Sequence, residues 1–398
     1  MLSVAACNGG MADSGGNLAA PPGDTSHQAQ RGSPTEDLEA ACGGGDVLTA
    51  GLAIKRRPYV QKVSDSSAQV GWVTSSGTLE HVKFSLPDGT EVMDAGGVVD
   101  VAAEHVGDQR QMWATVTGLQ PDTIYCYGID GGMQMTARAG FRTAPSRDST
   151  APVRFLAFGD SGGGGEAQHA LLDQMTDFPF DLMVHTGDIA YDNGTLREFE
   201  ANVFGVYAGL FRSIPFFPAA GNHEYGNSPN AAPFRSVFRL PGVTGESWYS
   251  FDWGPVHFAA LDTEADYDTQ MAWLDDDLAS SDRPWKIVYL HRPPFSSGAH
   301  GSDTGLRAKL APIVQNRGVQ LVLAGHDHNY ERTTPQNGVT YVVTGGGGKG
   351  TRPVGKSSFT GYSADVIHFV YGEIEGAQLT LHAVDATGVE FDSLVIQQ

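Results

Sequence analysis

Val153-Arg-Phe-Leu-Ala-Phe-Gly-Asp-Ser-Gly162 joins a continuous apolar run to a glycine, a carboxylate and a hydroxyl. A strand that is apolar at successive positions is buried on both faces, as in a parallel sheet covered by helices. The same grammar returns four times. Asp181-Leu-Met-Val-His-Thr186 runs into Gly187-Asp188-Ile-Ala-Tyr191, and Ile214-Pro-Phe-Phe-Pro218 leads to Gly221-Asn222-His223-Glu224. Lys286-Ile-Val-Tyr-Leu290 meets His291, and Val319-Gln-Leu-Val-Leu323 meets Gly325-His326-Asp327-His328. Residues 166–178, 196–211 and 267–279 carry apolar side chains at helical spacing. From Val339 onward four strand-like runs follow: Thr340–Thr344, His368–Ile374, Gln378–Val384 and Glu390–Ile396. Alternating strands and helices followed by strands predict an α/β unit, with a parallel sheet at its front and antiparallel strands added late.

Working back toward the amino terminus, residues 57–143 change to a period of two. Ser67-Ala-Gln-Val-Gly-Trp-Val73, Val82-Lys-Phe-Ser-Leu86 and Met112-Trp-Ala-Thr-Val116 alternate apolar and polar side chains between Gly, Pro and Asp turns. That spacing predicts an antiparallel β-sandwich. Its two histidines, His81 and His105, stand alone, so this region reads as a scaffold. Residues 1–50 are rich in Gly, Ala, Ser, Asn and Pro and show neither period, which predicts a disordered tail. Val4-Ala5-Ala6-Cys7 matches the box of a bacterial lipoprotein, without the basic and apolar segments that precede such a box. The expectation is an exported protein, periplasmic or at the cell surface, anchored at Cys7. Cys42 could pair with Cys126 in an oxidising compartment, but its place in the irregular tail argues against the bond.

Composition removes several classes. The 398 residues hold 46 acids and 25 bases, a formal net charge of −21. Such a field repels nucleic acid and anionic membranes. No apolar run reaches the roughly 18 residues of a membrane span. Three cysteines cannot build a disulfide framework or a zinc ribbon.

Ligands in α/β sheets bind beyond the carboxyl ends of the strands. Each polar group there has a mundane reading as a cap or turn residue, but five in succession point to one site. The donors are carboxylates, imidazoles, an amide and a phenol, with no thiolate, which disfavours structural zinc. Seven such donors exceed what one ion needs, and a carboxylate can bridge two. A phenol with an ordinary pKa of about 10 ligates at neutral pH only beside a strongly acidifying cation.

These motifs resemble the metallophosphoesterase superfamily, and most closely the purple acid phosphatases. That family carries Asp-x-Gly, Gly-Asp-x-x-Tyr, Gly-Asn-His, Val-x-x-His and Gly-His-x-His in this order. The resemblance extends over about residues 57–396. It implies a fibronectin type III-like sandwich over 52–146 and a catalytic domain of α/β/β/α layers over 152–398. The segment Leu119-Gln-Pro-Asp-Thr-Ile-Tyr125 resembles the tyrosine corner of such sandwiches. The resemblance further implies iron(III) held by Asp160, Asp188, Tyr191 and His328, and a divalent ion (zinc, manganese or iron) held by Asp188, Asn222, His291 and His326. It implies hydrolysis of small phosphate monoesters by a hydroxide generated on the metals. His223 is the first choice to contact the phosphate and act as general acid. His300, nine residues after His291, is expected to contact substrate, although Gly301 stands where plant enzymes often carry a second histidine.

Other readings compete. A phosphodiesterase of the same superfamily, or a non-catalytic surface-tethered binding protein, would use the same scaffold. Gly159-Asp-Ser161-Gly-Gly163 resembles the nucleophile segment of trypsin-like proteases, but no Ala-Ala-His-Cys precedes it. Residues 345–350 hint at a phosphate loop, yet Gly350 replaces its Ser or Thr, so a flexible turn is expected there. The Ser/Thr protein phosphatases require an Asp-Arg-Gly where Asp192-Asn193-Gly194 stands.

Overall fold

A computed structural model describes residues 29–45, 53–75, 80–242 and 247–398. The lipoprotein reading at Cys7 lies outside the described residues.

The period-two segments form two four-stranded antiparallel sheets. One orders Ile54–Gln61, Ser67–Thr74, Arg110–Thr117 and Val98–Val99. The other orders Glu91–Gly96, His81–Ser85, Ile124–Asp130 and Ala139–Arg142. Alternate side chains turn inward, so Val70, Trp72, Val82, Phe84, Met112 and Phe141 meet in one core. Each large side chain buried this way contributes roughly 2 kcal/mol. The Tyr125 hydroxyl accepts the backbone N–H of Gln120 at 2.9 Å, closing the corner between two strands. His81 and His105 are exposed.

The apolar runs of the second half enter two further sheets. In the six-stranded sheet, Phe216–Pro218, Leu182–His185 and Val153–Phe158 are parallel. The late strands His368–Glu375, Gln378–Asp385 and Glu390–Gln397 extend it antiparallel, beginning directly beside Val153–Phe158. The seven-stranded sheet has Val256–Ala260, Trp285–Tyr289, Leu321–Ala324 and Thr340–Thr344 parallel at its centre. Thr340–Thr344 is thus a central parallel strand, not one of the late antiparallel ones. The sheets pack face to face, with Phe155 edge-on to Phe258 at 5.8 Å. The helix Glu166–Met175 and the helical stretch 196–211, which carries a π-turn over Phe199–Phe204, cover the first sheet. Tyr267–Ser280 and Thr304–Asn316 cover the second through Leu274, Leu278, Leu306, Leu310 and Val314. Asp266 and Asp303 cap these last two helices, accepting backbone N–H bonds of their first turns. The result is a helix–sheet–sheet–helix stack.

The amino-terminal segment departs from expectation. Residues 36–42 form a helix whose Leu38 and Cys42 are buried, and Cys42 is bonded to Cys126 with 5.3 Å between their Cα atoms. The disordered tail is therefore corrected for residues 29–45, and so is the argument against the disulfide. The segment also reaches the second half: Arg31 donates to the Gly388 carbonyl at 2.7 Å and lies over the Phe178 ring at 4.2 Å. The glycines 345–348, expected as a flexible turn, are buried; Gly347 donates to the Gly159 carbonyl at 2.9 Å.

One charge cluster around the buried His257 ties a helix to the second sheet. His257 bonds Asp252 at 2.7 Å and Asp277 at 2.8 Å, and Arg283 meets Asp252 at 3.0 Å. Burial would lower the His257 pKa, but the two carboxylates prevail and raise it to about 9. The unfolded value is about 6.5, so the imidazolium contributes stability in full below pH 6.5 and loses it as pH rises through 9. His257→Asn is expected to lower stability by about 2–3 kcal/mol at pH 6 and by little at pH 9.5. Chemical denaturation of both proteins across that range checks it; a pH-independent difference would remove the ion-pair account.

Candidate metal centre

The five polar strand ends meet at one edge of the paired sheets. Asp160, Asp188 and Asn222 follow parallel strands of the first sheet, while His291, His326 and His328 follow parallel strands of the second. Asp160, Asp188 and His326 have φ of 58°, 54° and 68°, a left-handed turn that swings each side chain off its strand axis. Such strain persists where surrounding structure imposes it, commonly at functional sites. Glycines make the approach possible. A Cβ on Gly221 would lie 2.3 Å from Asp188 Oδ1, and one on Gly325 would lie 2.6 Å from Asp160 Oδ2.

Two clusters of donor atoms result. In the first, Tyr191 Oη lies 3.0 Å from Asp160 Oδ1, 3.0 Å from Asp188 Oδ2 and 3.2 Å from His328 Nε2. His328 Nε2 is 3.4 Å from Asp160 Oδ1. In the second, His291 Nε2 lies 3.3 Å from Asp188 Oδ2, 3.2 Å from Asn222 Oδ1 and 3.1 Å from His326 Nδ1. Asp188 Oδ2 is common to both. All seven residues singled out as ligands are therefore brought together, and Asp188, His291 and His326 offer atoms within 4.8 Å of one another.

The donor set fits cations. Ligand atoms about 2.0–2.2 Å from a shared ion lie about 3.0–3.5 Å apart, as these do. Without a cation the protons do not suffice: the single phenol hydrogen of Tyr191 faces two carboxylates and an imidazole. Burial, then Asp160 and Asp188, push the Tyr191 phenol far above its ordinary value, so its ionisation requires positive charge. Burial opposes ionisation of Asp188, but His291 and His223 hold it below the carboxylate range. His291 answers this pairing with a pKa raised to about 10 against burial, while burial and His291 lower His326 to about 2.

A surrounding set of residues fixes these donors. His291 Nδ1 donates to the Thr186 carbonyl at 2.9 Å, which turns Nε2 toward Asp188. Glu224 ends the third motif. It is fully buried and accepts the backbone N–H of Asp188, Ile189, Ala190 and Gly221 at 2.8–3.1 Å. It thereby pins the Asp188 turn to the Asn222 turn. Asp327 likewise holds the His300 loop by accepting the N–H of His300 and Gly301. Only the strand-end position of each acid signals these roles in sequence.

The two histidines expected to meet substrate lie on either side. His223 donates its backbone N–H to Asp188 Oδ1 at 2.9 Å, and its Nδ1 donates to the Asp192 carbonyl at 2.6 Å. That leaves Nε2 as its free end, 3.7 Å from Asp188 Oδ2. His300 is exposed and stacks on the His326 ring at 4.1 Å. Ser161 is no protease nucleophile. It is buried against His185 Nε2 at 2.9 Å, and His185 Nδ1 accepts the Gly187 N–H, leaving no carboxylate to orient the ring.

Residues 153–330 match the family model described as calcineurin-like phosphoesterase. Human acid phosphatase type 7 is 29% identical over 304 residues, covering 68% of this chain and 68% of the human protein. The probable purple acid phosphatase 20 of Arabidopsis thaliana is 27% identical over 321 residues, covering 73% of each. Among solved structures, the purple acid phosphatase PPD1 from yellow lupin seeds superposes with a TM-score of 0.76 at 22% identity. It covers 85% of this chain and 74% of the lupin chain. With five strand ends delivering buried acids, imidazoles and a phenol to one paired cluster, the chain carries a calcineurin-like phosphoesterase domain over residues 153–330 and is similar to acid and purple acid phosphatases.

Proposed function

We propose that the protein hydrolyses small phosphate monoesters at a pair of one trivalent and one divalent ion, with iron(III) held by Asp160, Asp188, Tyr191 and His328 and a divalent ion (zinc, manganese or iron) held by Asp188, Asn222, His291 and His326. The observation that carries the reading is the Tyr191 hydroxyl set 3.0 Å from two buried carboxylates. A phenol in that position suits a trivalent ion better than a divalent one. When bound, the ions supply charge neutralisation of the ester and an acidified water. The chain supplies the rest. Asp188 binds both halves of the centre. Asn222 contributes a neutral amide, which keeps its ion electrophilic. His223, its Nδ1 committed to the Asp192 carbonyl, presents Nε2 as the group placed to protonate the departing alkoxide.

The two sheets of residues 54–142 are read as a fibronectin type III-like scaffold within a 52–146 domain, a reading supported by the Tyr125 corner; the catalytic domain is read as 152–398. The Cys42–Cys126 bond supports export to an oxidising compartment. No described helix is long and apolar enough to cross a membrane.

Tyrosinate on iron(III) is coloured. The purified protein is therefore expected to show a visible charge-transfer band that Tyr191→Phe abolishes, with p-nitrophenyl phosphate hydrolysed faster than the bis ester. A colourless, active protein containing only divalent metal would overturn the iron assignment. Preference for the diester would overturn the monoester assignment.

A further inference from the structure

The cations around the centre differ in how they are answered. Arg292 meets Glu264 at 2.5 and 3.1 Å, and Lys349 meets Asp192 at 2.5 Å. Arg352 has no carboxylate partner among the described residues, in a chain where acids outnumber bases 46 to 25. Its position is nevertheless fixed. Its backbone N–H donates to the His328 carbonyl at 2.8 Å, and its guanidinium donates to His300 Nε2. His300 in turn stacks on His326. Asp327, the acid that faces His300, accepts the N–H of His300 and Gly301 and the Ser296 hydroxyl instead.

A guanidinium held beside a cluster suited to cations, with no counter-charge, is unfavourable unless an anion lies between them. Arginine carries five N–H donors in a planar fork; one meets His300, and the others suit paired bonds to phosphate oxygens. His300 Nε2 accepts from Arg352, so that nitrogen cannot also donate to a phosphoryl oxygen. We propose that Arg352, positioned by His300, is the charged side-chain contact for the phosphoryl oxygens of the ester. This rests on the phosphatase reading above and moves onto Arg352 the substrate contact expected of His300.

The test uses the full chain with its metals, comparing wild type, Arg352→Gln, Arg352→Lys and His300→Ala. Inorganic phosphate binding is measured by calorimetry, p-nitrophenyl phosphate kinetics at constant ionic strength, and metal by elemental analysis. Arg352→Gln is expected to raise the phosphate Kd and the KM by about tenfold or more, with kcat changed less than about threefold and metal content unchanged. Arg352→Lys should recover part of the loss, and His300→Ala should cost less than Arg352→Gln. A phosphate Kd within about twofold of wild type in Arg352→Gln overturns the proposal while leaving the phosphatase reading intact. So does loss of metal in that variant, which would make Arg352 part of the centre's framework. A wild-type protein that neither binds phosphate nor hydrolyses the ester overturns both.

Discussion

Exchanging Asp188 for asparagine is expected to cut p-nitrophenyl phosphate turnover by about 1000-fold, some 4 kcal/mol of transition-state stabilisation. The size of the effect follows from the position of one oxygen. Asp188 Oδ2 lies 3.0 Å from Tyr191 Oη in one donor cluster and 3.3 Å from His291 Nε2 in the other. No other donor atom belongs to both. An amide at this position has the same shape and tolerates the same left-handed φ of 54°, which asparagine adopts more readily than most residues. Its Oδ1 can still accept the His223 N–H. The backbone turn and its four-fold anchor on Glu224 thus persist, and the loss is of charge at the shared oxygen. Alanine would remove the charge but also strain the turn, so asparagine is the cleaner test. Elemental analysis should show metal falling together with activity. A variant that retains wild-type turnover and full metal occupancy would refute the bridging role of Asp188.

The centre was legible in sequence because its parts obey a simple rule: buried parallel strands end at the binding edge, and polar residues just beyond them must face something. Asp160, Asp188, Asn222, His291, His326 and His328 all follow that rule. The roles of the residues that fix them are not legible from that rule alone. Glu224 acts through four backbone N–H groups, which no side-chain pattern announces. Arg352 lies in an irregular stretch, and nothing in its neighbours predicts a return to His300. Among the elements, the hairpin Tyr249–Trp253 with Val256–Ala260 has no clear sequence period, since its first strand carries half-exposed Ser250 and Phe251 while its second is buried throughout. The helix Thr304–Asn316 is equally obscure in sequence, because Gly305 and Pro312 disguise the Leu306–Leu310–Val314 spacing. The short helix over residues 36–42 buries only Leu38 and Cys42, four residues apart. Two apolar contacts in seven residues are too few to stand out from a polar segment, which is why the disulfide partner of Cys126 was hidden.

The Cys42–Cys126 bond spans a sequence separation of 84. In the chain-entropy account, closing a loop of that length removes about 4–5 kcal/mol of denatured-state freedom. The native contacts make this stabilisation usable. Gly140 lets the helix approach its strand, since a Cβ there would lie 2.9 Å from the Leu38 carbonyl and 3.0 Å from Cys42 Sγ. Upstream, Gly32 donates to the Asp177 carbonyl at 2.8 Å, and Arg154 reaches Gln30 at 3.3 Å. Glu39 pairs with Arg212 at 3.2 Å. The segment is therefore a strap fixed covalently to the first sandwich and non-covalently to the second half. Cut free at Cys42, it retains exposed polar contacts, the cation–π contact of Arg31 and the apolar contacts of Leu38 and Ala29. Those offset little of the entropy of ordering some fifteen residues. Cys42→Ala/Cys126→Ala is thus expected to lower Tm by roughly 5 °C and to open residues 29–45 to proteolysis. Turnover at 25 °C should hold near wild type, because neither cysteine touches the donor clusters. Reductant should bring the wild-type Tm down to that of the variant and leave the variant unmoved. Equal melting of the wild type with and without reductant would show that the strap is held by its packing and not by the bond.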